Sequence, residues 1–223
     1  TPLIVPQKYF DMYPLDEVQL ANIKENDKDD TFLHYVDQFE TKARRTRSIQ
    51  IFKNLRASYK DKNEGLRRFT QAYLACVTAV DDNVGQVMNV INNSSLKDNT
   101  VIVLVSDHGW TMGEKDHVYK NSLWEESTRI PMSIRVPGLT KPNSKVQQPV
   151  SLIDIYPTLL DLTGIDNNTT KNKFGRPLDG YSLKPFLEDP NTMNWTGPKA
   201  ALTVVYSSDK NKDTPSNHHY SVR

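Results

Sequence analysis

Hydrophobic residues recur at helical spacing along two stretches in the first half of the chain. Over residues 31–59 and 64–92 an apolar side chain returns every three to four positions, and the pattern is clearer in the second stretch. This spacing places apolar side chains on one face of an α-helix, so two helices are predicted. An Asn-Asn-Ser-Ser run at 92–95 ends the second helix. Its apolar positions are Leu66, Phe69, Tyr73, Val77, Val80, Val84, Val87 and Val90.

A short β-branched run follows the second helix after an Asp-Asn turn. Residues 101–105 read VIVLV, a length and composition typical of a buried parallel strand. Residues 130–136 predict a second short strand, which Pro131 places at the start or the edge of a sheet. The alternation of helices and strands indicates an α/β protein. The remaining predicted elements are a helix over 151–164, a short helix over 183–187, a strand over 201–206 and another beginning at 220.

Length, charge and cysteine content exclude several classes of protein. The 223 residues include 28 basic and 27 acidic side chains, so the chain has no global field that would attract nucleic acid. No apolar run reaches the roughly 18 residues that a membrane-spanning helix needs, and the first residues lack a signal-peptide pattern. Cys76 is the single cysteine, so it forms no intrachain disulfide, and its apolar helical setting predicts a buried side chain.

Chemistry-bearing side chains are concentrated just after the strand at 101–105. Asp107 and His108 follow it directly, and ligand sites in open α/β sheets form at the carboxyl ends of strands. A carboxylate and an imidazole suit a metal ion, but such pairs also occur as plain hydrogen-bonded structure. Lys115 and Lys120 add cations on the following loop, and a cation beside a metal suits a tetrahedral oxyanion.

Four sequence blocks follow one another along the chain: SDHGW at 106–110, GEK at 113–115, LWEESTRIP at 123–131 after Lys120, and PVSLIDIYPTLLDLTG at 149–164. In this order they resemble the sulfatases of the alkaline phosphatase superfamily. Within the sulfatases the resemblance is to the iduronate-sulfatase-like branch, which the segments TPLIVPQKYFDMYPL and YLACVTAVDDNVGQVMNVI also indicate. The likeness covers nearly the whole chain.

The resemblance implies an α/β fold with a mixed, mostly parallel sheet flanked by helices. Residues 1–197 would form the later part of the catalytic domain. Residues 198–223 would begin a small C-terminal antiparallel subdomain.

The resemblance also implies an enzyme that hydrolyses a sulfate ester, with sulfated sugars as the leading substrates. Asp107 and His108 would bind a divalent cation, most often calcium, and Lys120 would be the catalytic lysine that contacts the sulfate. A periplasmic, extracellular or lysosomal location is implied by the family alone. Further candidate substrate contacts are Lys115, His117, His218 and His219, each of which is also explained as an ordinary loop residue.

Other residues of these blocks are expected to order the structure. We expect Trp124 and Arg129 to pack and order the loop, with Glu125 or Glu126 available to pair with the arginine. Asp154 is expected to cap or brace the start of a helix, without a catalytic role.

The nucleophile that the resemblance implies is not found in these residues. Sulfatases use a formylglycine made from the cysteine of a C-x-P-x-R sequence, whereas Val-Thr-Ala-Val follows Cys76. The nucleophile and two further acidic metal ligands are therefore expected in a preceding portion of the same protein, without which the chain would be inactive. Two alternatives stay open: a phosphodiesterase or phosphonate monoester hydrolase of the same superfamily, and a non-catalytic descendant that acts as a binding protein.

Overall fold

The computed structural model describes residues 3–27, 46–166, 168–170, 173–205 and 219–223. The chain divides into two compact units, each built from two separate stretches. Unit 1 comprises Thr1–Ser94 and His108–Arg129, and unit 2 comprises Ser95–Asp107 and Ile130–Arg223. In chain order the elements are α1 (Gln7–Phe10), α2 (Thr46–Ala57), α3 (Glu64–Asn92), β1 (Ile102–Val105), β2 (Thr111–Met112), a 3₁₀ turn (Glu114–Asp116), β3 (Val118–Tyr119), α4 (Glu125–Thr128), β4 (Met132–Arg135), a second 3₁₀ turn (Leu152–Asp154), α5 (Ile155–Thr163), α6 (Lys184–Glu188), β5 (Leu202–Val205) and β6 (His219–Val222).

Helix α3 forms the core of unit 1 with α2 and β3. Leu66 is completely buried and packs with Phe52 of α2 and Val118 of β3. Gly65 lets the backbone of α2 come close, because a Cβ at that position would lie 2.0 Å from the carbonyl oxygen of Leu55. The apolar face predicted for the second helix therefore begins in a packed core.

Helix α1 packs on the same long helix further along. Tyr9 lies against Ala75 and Ala79, and its hydroxyl donates to Asp82 Oδ2 at 2.8 Å. The short side chains of the two alanines allow the aromatic ring to approach the helix backbone. The proline-punctuated N-terminal segment is thereby joined to α3.

The second predicted helix is confirmed at residues 64–92, but its apolar stripe is only partly buried. All buried residues of α3 lie between Gly65 and Ala79. Beyond them Val80 is 59% exposed and Val90 69% exposed. Periodicity therefore predicted the helix correctly, whereas it did not show how far along the helix the packing extends. Of the first predicted helix, α2 accounts for the described part.

Strands β1 and β4 of unit 2 form a two-stranded antiparallel ladder, with Ile102 opposite Arg135 and Val105 opposite Met132. The predicted parallel pairing of residues 101–105 is wrong for the described strands, since each of their three pairs is antiparallel. The prediction that this strand is buried was also wrong, because the Leu104 side chain is 50% exposed. A β-branched composition favours a strand but does not set the direction of its partner. The second strand is confirmed, and Pro131 precedes it as expected.

Asp154 braces the start of α5, as predicted. Its carboxylate accepts hydrogen bonds from the backbone N–H groups of Ser151 and Tyr181, both at 2.8 Å, and the side chain is almost fully buried. Ser151 and Asp154 form a reciprocal capping box. One turn later the Thr158 hydroxyl accepts from the backbone N–H of Leu183 at 2.8 Å. These bonds join α5 to the segment that leads into α6.

The described C-terminal residues form an antiparallel pair of strands. Strand β5 pairs with β6, with Leu202 opposite Val222 and Val204 opposite Tyr220. This pair confirms the strands predicted at 201–206 and at 220, while the proposed domain boundary between residues 197 and 198 stays a prediction. Among the described residues, no helix is sufficiently long and apolar to span a bilayer.

Candidate active site

The segment predicted as a plain loop after His108 contains a small antiparallel hairpin. Thr111 of β2 pairs with Tyr119 of β3, and the 3₁₀ turn joins the strands. Gly113 enters this turn at φ +124°, and a Cβ there would lie 2.6 Å from Ile23 Cδ1. Strands of two residues are too short to show an alternating pattern, so no signal in the sequence predicted them. Lys120 follows β3 directly.

His108 is oriented by contacts on both ring nitrogens. Nδ1 lies 2.8 Å from the carbonyl oxygen of Gly109, and Nε2 lies 2.9 Å from Lys120 Nζ. A carbonyl only accepts hydrogen bonds and an ammonium only donates them. Nδ1 therefore carries the proton, and the Nε2 lone pair accepts from Lys120. The structure thus brings together two of the predicted site residues, His108 and Lys120.

Aromatic rings hold the His108 imidazole from one side. Its ring stacks on Trp110 with centroids 6.1 Å apart and planes 28° apart. Trp110 in turn packs against Tyr73 of α3 at 5.6 Å and against Tyr119 of β3 edge-on at 5.0 Å. The imidazole is thereby positioned by elements of the unit 1 core.

Backbone contacts explain the glycine that follows His108. The backbone N–H of Gly109 donates to the carbonyl oxygen of Ser127 at 2.8 Å, and the backbone N–H of Trp110 donates to the backbone carbonyl oxygen of Glu126 at 2.6 Å. A Cβ on Gly109 would lie 2.1 Å from the Glu126 carbonyl oxygen. Only glycine allows the chain to pass this close to α4, so the position is fixed by packing.

His117 is buried within the hairpin. The Thr111 hydroxyl donates its proton to the carbonyl oxygen of Tyr119 at 2.6 Å, so His117 Nδ1 must donate to that hydroxyl at 2.9 Å. Trp124 packs edge-on against the imidazole at 5.6 Å. Burial lowers the pKa of His117 from 6.5 to about 4, because a protonated ring would lose its hydration. The structure therefore shows a neutral histidine inside unit 1.

Lys115 lies against the N-terminal segment. Its Nζ is 3.1 Å from Asp27 Oδ1, and its backbone N–H donates to Asp27 Oδ2 at 3.0 Å. Both side chains are largely buried. No feature of the sequence predicted this contact, because the two residues are 88 positions apart.

Asp107 is exposed and is the last residue of the first stretch of unit 2, and His108 is the first residue of the second stretch of unit 1. They are adjacent in the chain and supply one carboxylate and one imidazole. No cluster of three or more His, Cys, Asp or Glu suited to a metal occurs in the described part of the chain. Calcium takes six to eight oxygen ligands, so the Asp107 carboxylate fits part of such a ligand set, and the His108 imidazole would add a weaker nitrogen contact.

The remaining predicted residues fall into three cases. Trp124 packs on His117 and Arg129 Nη1 pairs with Glu125 Oε1 at 3.1 Å, which confirms the expected packing of the tryptophan and the expected partner of the arginine. Cys76 is only partly buried, in contrast to the prediction of a buried side chain. Partial burial still raises the pKa of its thiol, so its reactive thiolate is disfavoured. The side chains of His218 and His219 lie outside the described residues.

Comparison with known families identifies the class of protein. The sequence profile of the sulfatase family matches residues 8–165, and the profile named N-sulphoglucosamine sulphohydrolase, C-terminal, matches residues 113–223. The first match covers more than half of the chain, which therefore belongs to the sulfatase family.

Two curated relatives are similar over most of the chain. A sulfatase of Formosa agariphila is 37% identical over 165 residues, covering 74% of this chain and 30% of the relative. An N-acetylglucosamine-6-O-sulfatase of Bacteroides thetaiotaomicron is 32% identical over 161 residues, covering 70% of this chain and 26% of the relative. The chain therefore spans less than a third of the length of these relatives.

Solved structures confirm the α/β fold of the alkaline phosphatase-like class. One, in complex with its substrate D-glucosamine-2-N,6-O-disulfate, is 30% identical, has a TM-score of 0.60, and is matched over 73% of this chain and 31% of its own. Another is a phosphonate monoester hydrolase of Agrobacterium radiobacter, which is 25% identical with a TM-score of 0.69 over 95% of this chain and 40% of its own.

Proposed function

We propose that the full-length protein is a sulfatase that hydrolyses sulfate esters of sugars, and that this chain supplies one part of its active site. The observation that carries the proposal is the contact between Lys120 Nζ and His108 Nε2 at 2.9 Å in a chain of the sulfatase family. It places a cation beside a ligand-type nitrogen at the end of a strand. A sulfate group, which is a tetrahedral oxyanion, requires positive charge of this kind.

Asp107 and His108 would hold a divalent cation, and calcium is the proposed metal. When bound, the cation polarises sulfate oxygens and stabilises the charge that develops on them. His108 Nε2 would offer its lone pair to the cation, because a ligating histidine must be unprotonated at the ligating nitrogen. In this structure that lone pair accepts from Lys120 Nζ, so Lys120 would turn from His108 to the sulfate when the cation binds. The exposed carboxylate of Asp107 adds a hard anionic ligand.

Lys120 would donate hydrogen bonds to the sulfate, either to a terminal oxygen or to the bridging oxygen. In the second position its ammonium neutralises charge on the departing sugar oxygen, and it is one candidate for the acid that protonates that oxygen. Lys120 directly follows the hairpin, which therefore fixes the backbone position from which the lysine side chain extends. Such preorganisation lowers the barrier because the donor needs no reorientation during the reaction.

The nucleophile would come from polypeptide outside these 223 residues. Cys76 lies in helix α3 with a raised thiol pKa, and its following residues do not form the formylglycine sequence. The partner of this chain is therefore the remaining portion of the same protein, which supplies the formylglycine and further acidic ligands. The chain alone is expected to be inactive.

Sulfated sugars are the proposed substrates because of what similar proteins act on. One relative is an N-acetylglucosamine-6-O-sulfatase, and one similar structure holds D-glucosamine-2-N,6-O-disulfate as its substrate. His218 and His219 are retained as candidate sugar contacts. Lys115 and His117 are assigned to the structure of the hairpin, since their polar atoms face Asp27 and Thr111. Family membership also favours a periplasmic, extracellular or lysosomal location for the full-length protein.

The test uses the full-length polypeptide and three substrates: an aryl sulfate, glucosamine 6-O-sulfate and an aryl phosphonate monoester. We expect turnover of the sulfates, at a rate that Lys120→Met lowers by a factor on the order of 10² to 10³. The matched control is Lys184→Met, which removes a surface lysine of unit 2 and should leave turnover unchanged. A faster reaction with the phosphonate than with either sulfate would contradict the proposal in favour of the rival hydrolase, and no turnover would favour the binding protein.

A further inference from the structure

The Asp27–Lys115 pair connects the hairpin to the N-terminal segment through three hydrogen bonds. Lys115 Nζ donates to Asp27 Oδ1 at 3.1 Å and to the Asp27 carbonyl oxygen at 2.5 Å, and the Lys115 backbone N–H donates to Oδ2 at 3.0 Å. One lysine thus occupies both carboxylate oxygens. The bond from the Lys115 backbone N–H is the main reason that the pKa of Asp27 is lowered. The contact therefore stabilises the ionised carboxylate.

This pair is better shielded from water than an ordinary surface ion pair. The side chains of Lys115 and Asp27 are 17% and 12% exposed, whereas those of the Lys184–Asp161 pair in unit 2 are 37% and 42% exposed. Pairs that are open to water contribute little because solvent screens the charges. Removing one partner of a shielded, hydrogen-bonded pair leaves the other charge without compensation. The contact is therefore able to constrain the hairpin.

The backbone of the turn depends on such a constraint. Lys115 and Asp116 both adopt left-handed conformations, with φ of +55° and +54°. Residues other than glycine rarely adopt these backbone angles, and they keep them only when surrounding contacts hold the backbone in place. The bond from the Lys115 backbone N–H to Asp27 is a contact of this kind. It acts on the residue that turns the chain toward β3 and Lys120.

The same N-terminal segment contacts the hairpin at a second point. Ile23 packs in the cluster that contains the fully buried Val118 of β3, and its Cδ1 lies close to Gly113. An apolar contact and an ion pair, four residues apart on the segment, therefore hold the turn at its entry, Gly113, and at its middle residue, Lys115. Lys120 lies two residues beyond Val118.

We propose that Asp27 and Lys115 are positioning residues that hold the hairpin so that Lys120 Nζ lies where the sulfate binds. This inference rests on the proposed function, since it assigns Lys120 to the sulfate. It replaces the expectation that Lys115 touches substrate: the residue acts through Lys120. In this role neither Asp27 nor Lys115 would contact the reacting atoms.

The first measurement is independent of activity. Amide hydrogen exchange is followed at residues 111–120 in the full-length polypeptide and in its Lys115→Met, Lys115→Arg and Asp27→Asn variants. Lys115→Met and Asp27→Asn should each raise exchange of the hairpin amides by about tenfold or more, because local opening is no longer opposed by the pair. Lys115→Arg keeps the charge and should restore most of the protection. The control Lys184→Met should leave these amides unchanged.

The second measurement is kinetic and separates positioning from a general structural role. With Lys120 present, Lys115→Met should lower kcat for an aryl sulfate by about ten- to a hundredfold, since a displacement of about 1 Å at a reacting group has effects of this size. In a protein that already carries Lys120→Met, adding Lys115→Met should lower kcat almost no further. A residue that acts through Lys120 loses its influence when Lys120 is absent.

The outcomes are distinguishable. An equal fold-loss in both backgrounds, or unchanged hairpin exchange in Lys115→Met, would overturn the positioning role. If Lys115→Met unfolds the protein, Asp27→Asn provides the same comparison with an uncharged side chain of nearly the same shape. Absence of sulfatase turnover in the unsubstituted protein would refute the proposed function and the assignment of Lys120 to a sulfate with it, while hydrogen exchange would still show whether the pair holds the hairpin.

Discussion

Single residues in this chain show how one short motif serves both packing and chemistry. In the sequence Asp-His-Gly-Trp, His108 presents the Nε2 lone pair, Gly109 allows the close approach to α4, and Trp110 supports the imidazole. The order of blocks was sufficient to predict Asp107, His108 and Lys120 as site residues, because ligand and oxyanion chemistry requires these residue types. Their metal-binding and catalytic roles stay predictions. The Asp27–Lys115 pair was not predictable, because no periodicity connects residues so far apart.

Substitution of Gly109 by alanine should destabilise the protein. The added Cβ would lie 2.1 Å from a backbone oxygen of α4, so the backbone itself must move, at a cost of about 1–3 kcal/mol. The control is Gly85→Ala in the exposed part of α3, where a Cβ meets nothing within 4 Å and should raise stability by about 0.5–1 kcal/mol. Urea unfolding at pH 7 measures both, and equal effects of the two substitutions would contradict the packing argument.

His117 should make the stability of the protein depend on pH. Its pKa is about 4 in the folded state and near 6.5 in the unfolded state, so between these values the unfolded chain binds the additional proton. The contribution of His117 is fully present above pH 6.5 and is lost as the pH falls toward 4, by about 3 kcal/mol in all.

A comparison of His117→Gln with the unsubstituted protein isolates this effect. Glutamine has a side-chain amide able to donate to the Thr111 hydroxyl but has no proton to gain in this range. The difference in unfolding free energy between pH 7 and pH 4.5 should therefore be smaller in the variant. An identical pH dependence of the two proteins would show that His117 is accessible to protons in the folded state.

At the scale of elements, the sequence predicted which helices and strands form better than it predicted which strands pair with each other. Helix α3 was predicted with the observed bounds because its apolar positions repeat over the whole length of the helix. Strand β1 was predicted as a strand, but its antiparallel partner was not, since the same β-branched residues suit either direction. Strands β2 and β3 were missed because a strand of two residues is too short to show an alternation of apolar and polar positions. The brace on α5 was predicted because a carboxylate at a helix start accepts backbone N–H groups.

Removal of the brace on α5 should cost stability. Asp154→Ala leaves two backbone N–H groups without their acceptor, and we expect a loss of about 2–3 kcal/mol. Asp161→Ala is the matched control on the same helix, because Asp161 is half-exposed and pairs with Lys184, so its loss should stay within about 1 kcal/mol. Urea unfolding gives both values. Similar losses for the two alanines would contradict a special role for the buried carboxylate.

At the scale of the whole molecule, the family is established and the proposed activity depends on more polypeptide than these residues. The proposed metal site has two adjacent candidate ligands, Asp107 and His108, so we expect the full-length protein to supply its other ligands and the nucleophile. The expectation that the nucleophile lies outside these residues rests on the motif that does not follow Cys76, and it stays a prediction. The sequence did not predict the division into two units, because that depends on contacts between distant stretches.

Removal of metal should abolish turnover in the full-length protein. Dialysis against a calcium chelator should lower aryl sulfate hydrolysis to background, and added calcium should restore it, because the cation balances the charge of the sulfate. Asp107→Asn should raise the calcium concentration needed for half-maximal restoration by about tenfold or more, since one anionic ligand is lost. Full activity in the presence of the chelator, with no metal in the purified protein, would contradict the proposed site.

The interleaved order of the two units has a consequence for biosynthesis. Unit 1 takes residues from both sides of the stretch that holds β1, so α3 and its neighbours acquire the partner strand β3 only after that intervening stretch has been translated. A ribosome adding about 5–20 residues per second delays this pairing by seconds. During that interval the nascent helices present uncovered apolar side chains, which makes them a natural client for chaperones that bind chains as they leave the exit tunnel.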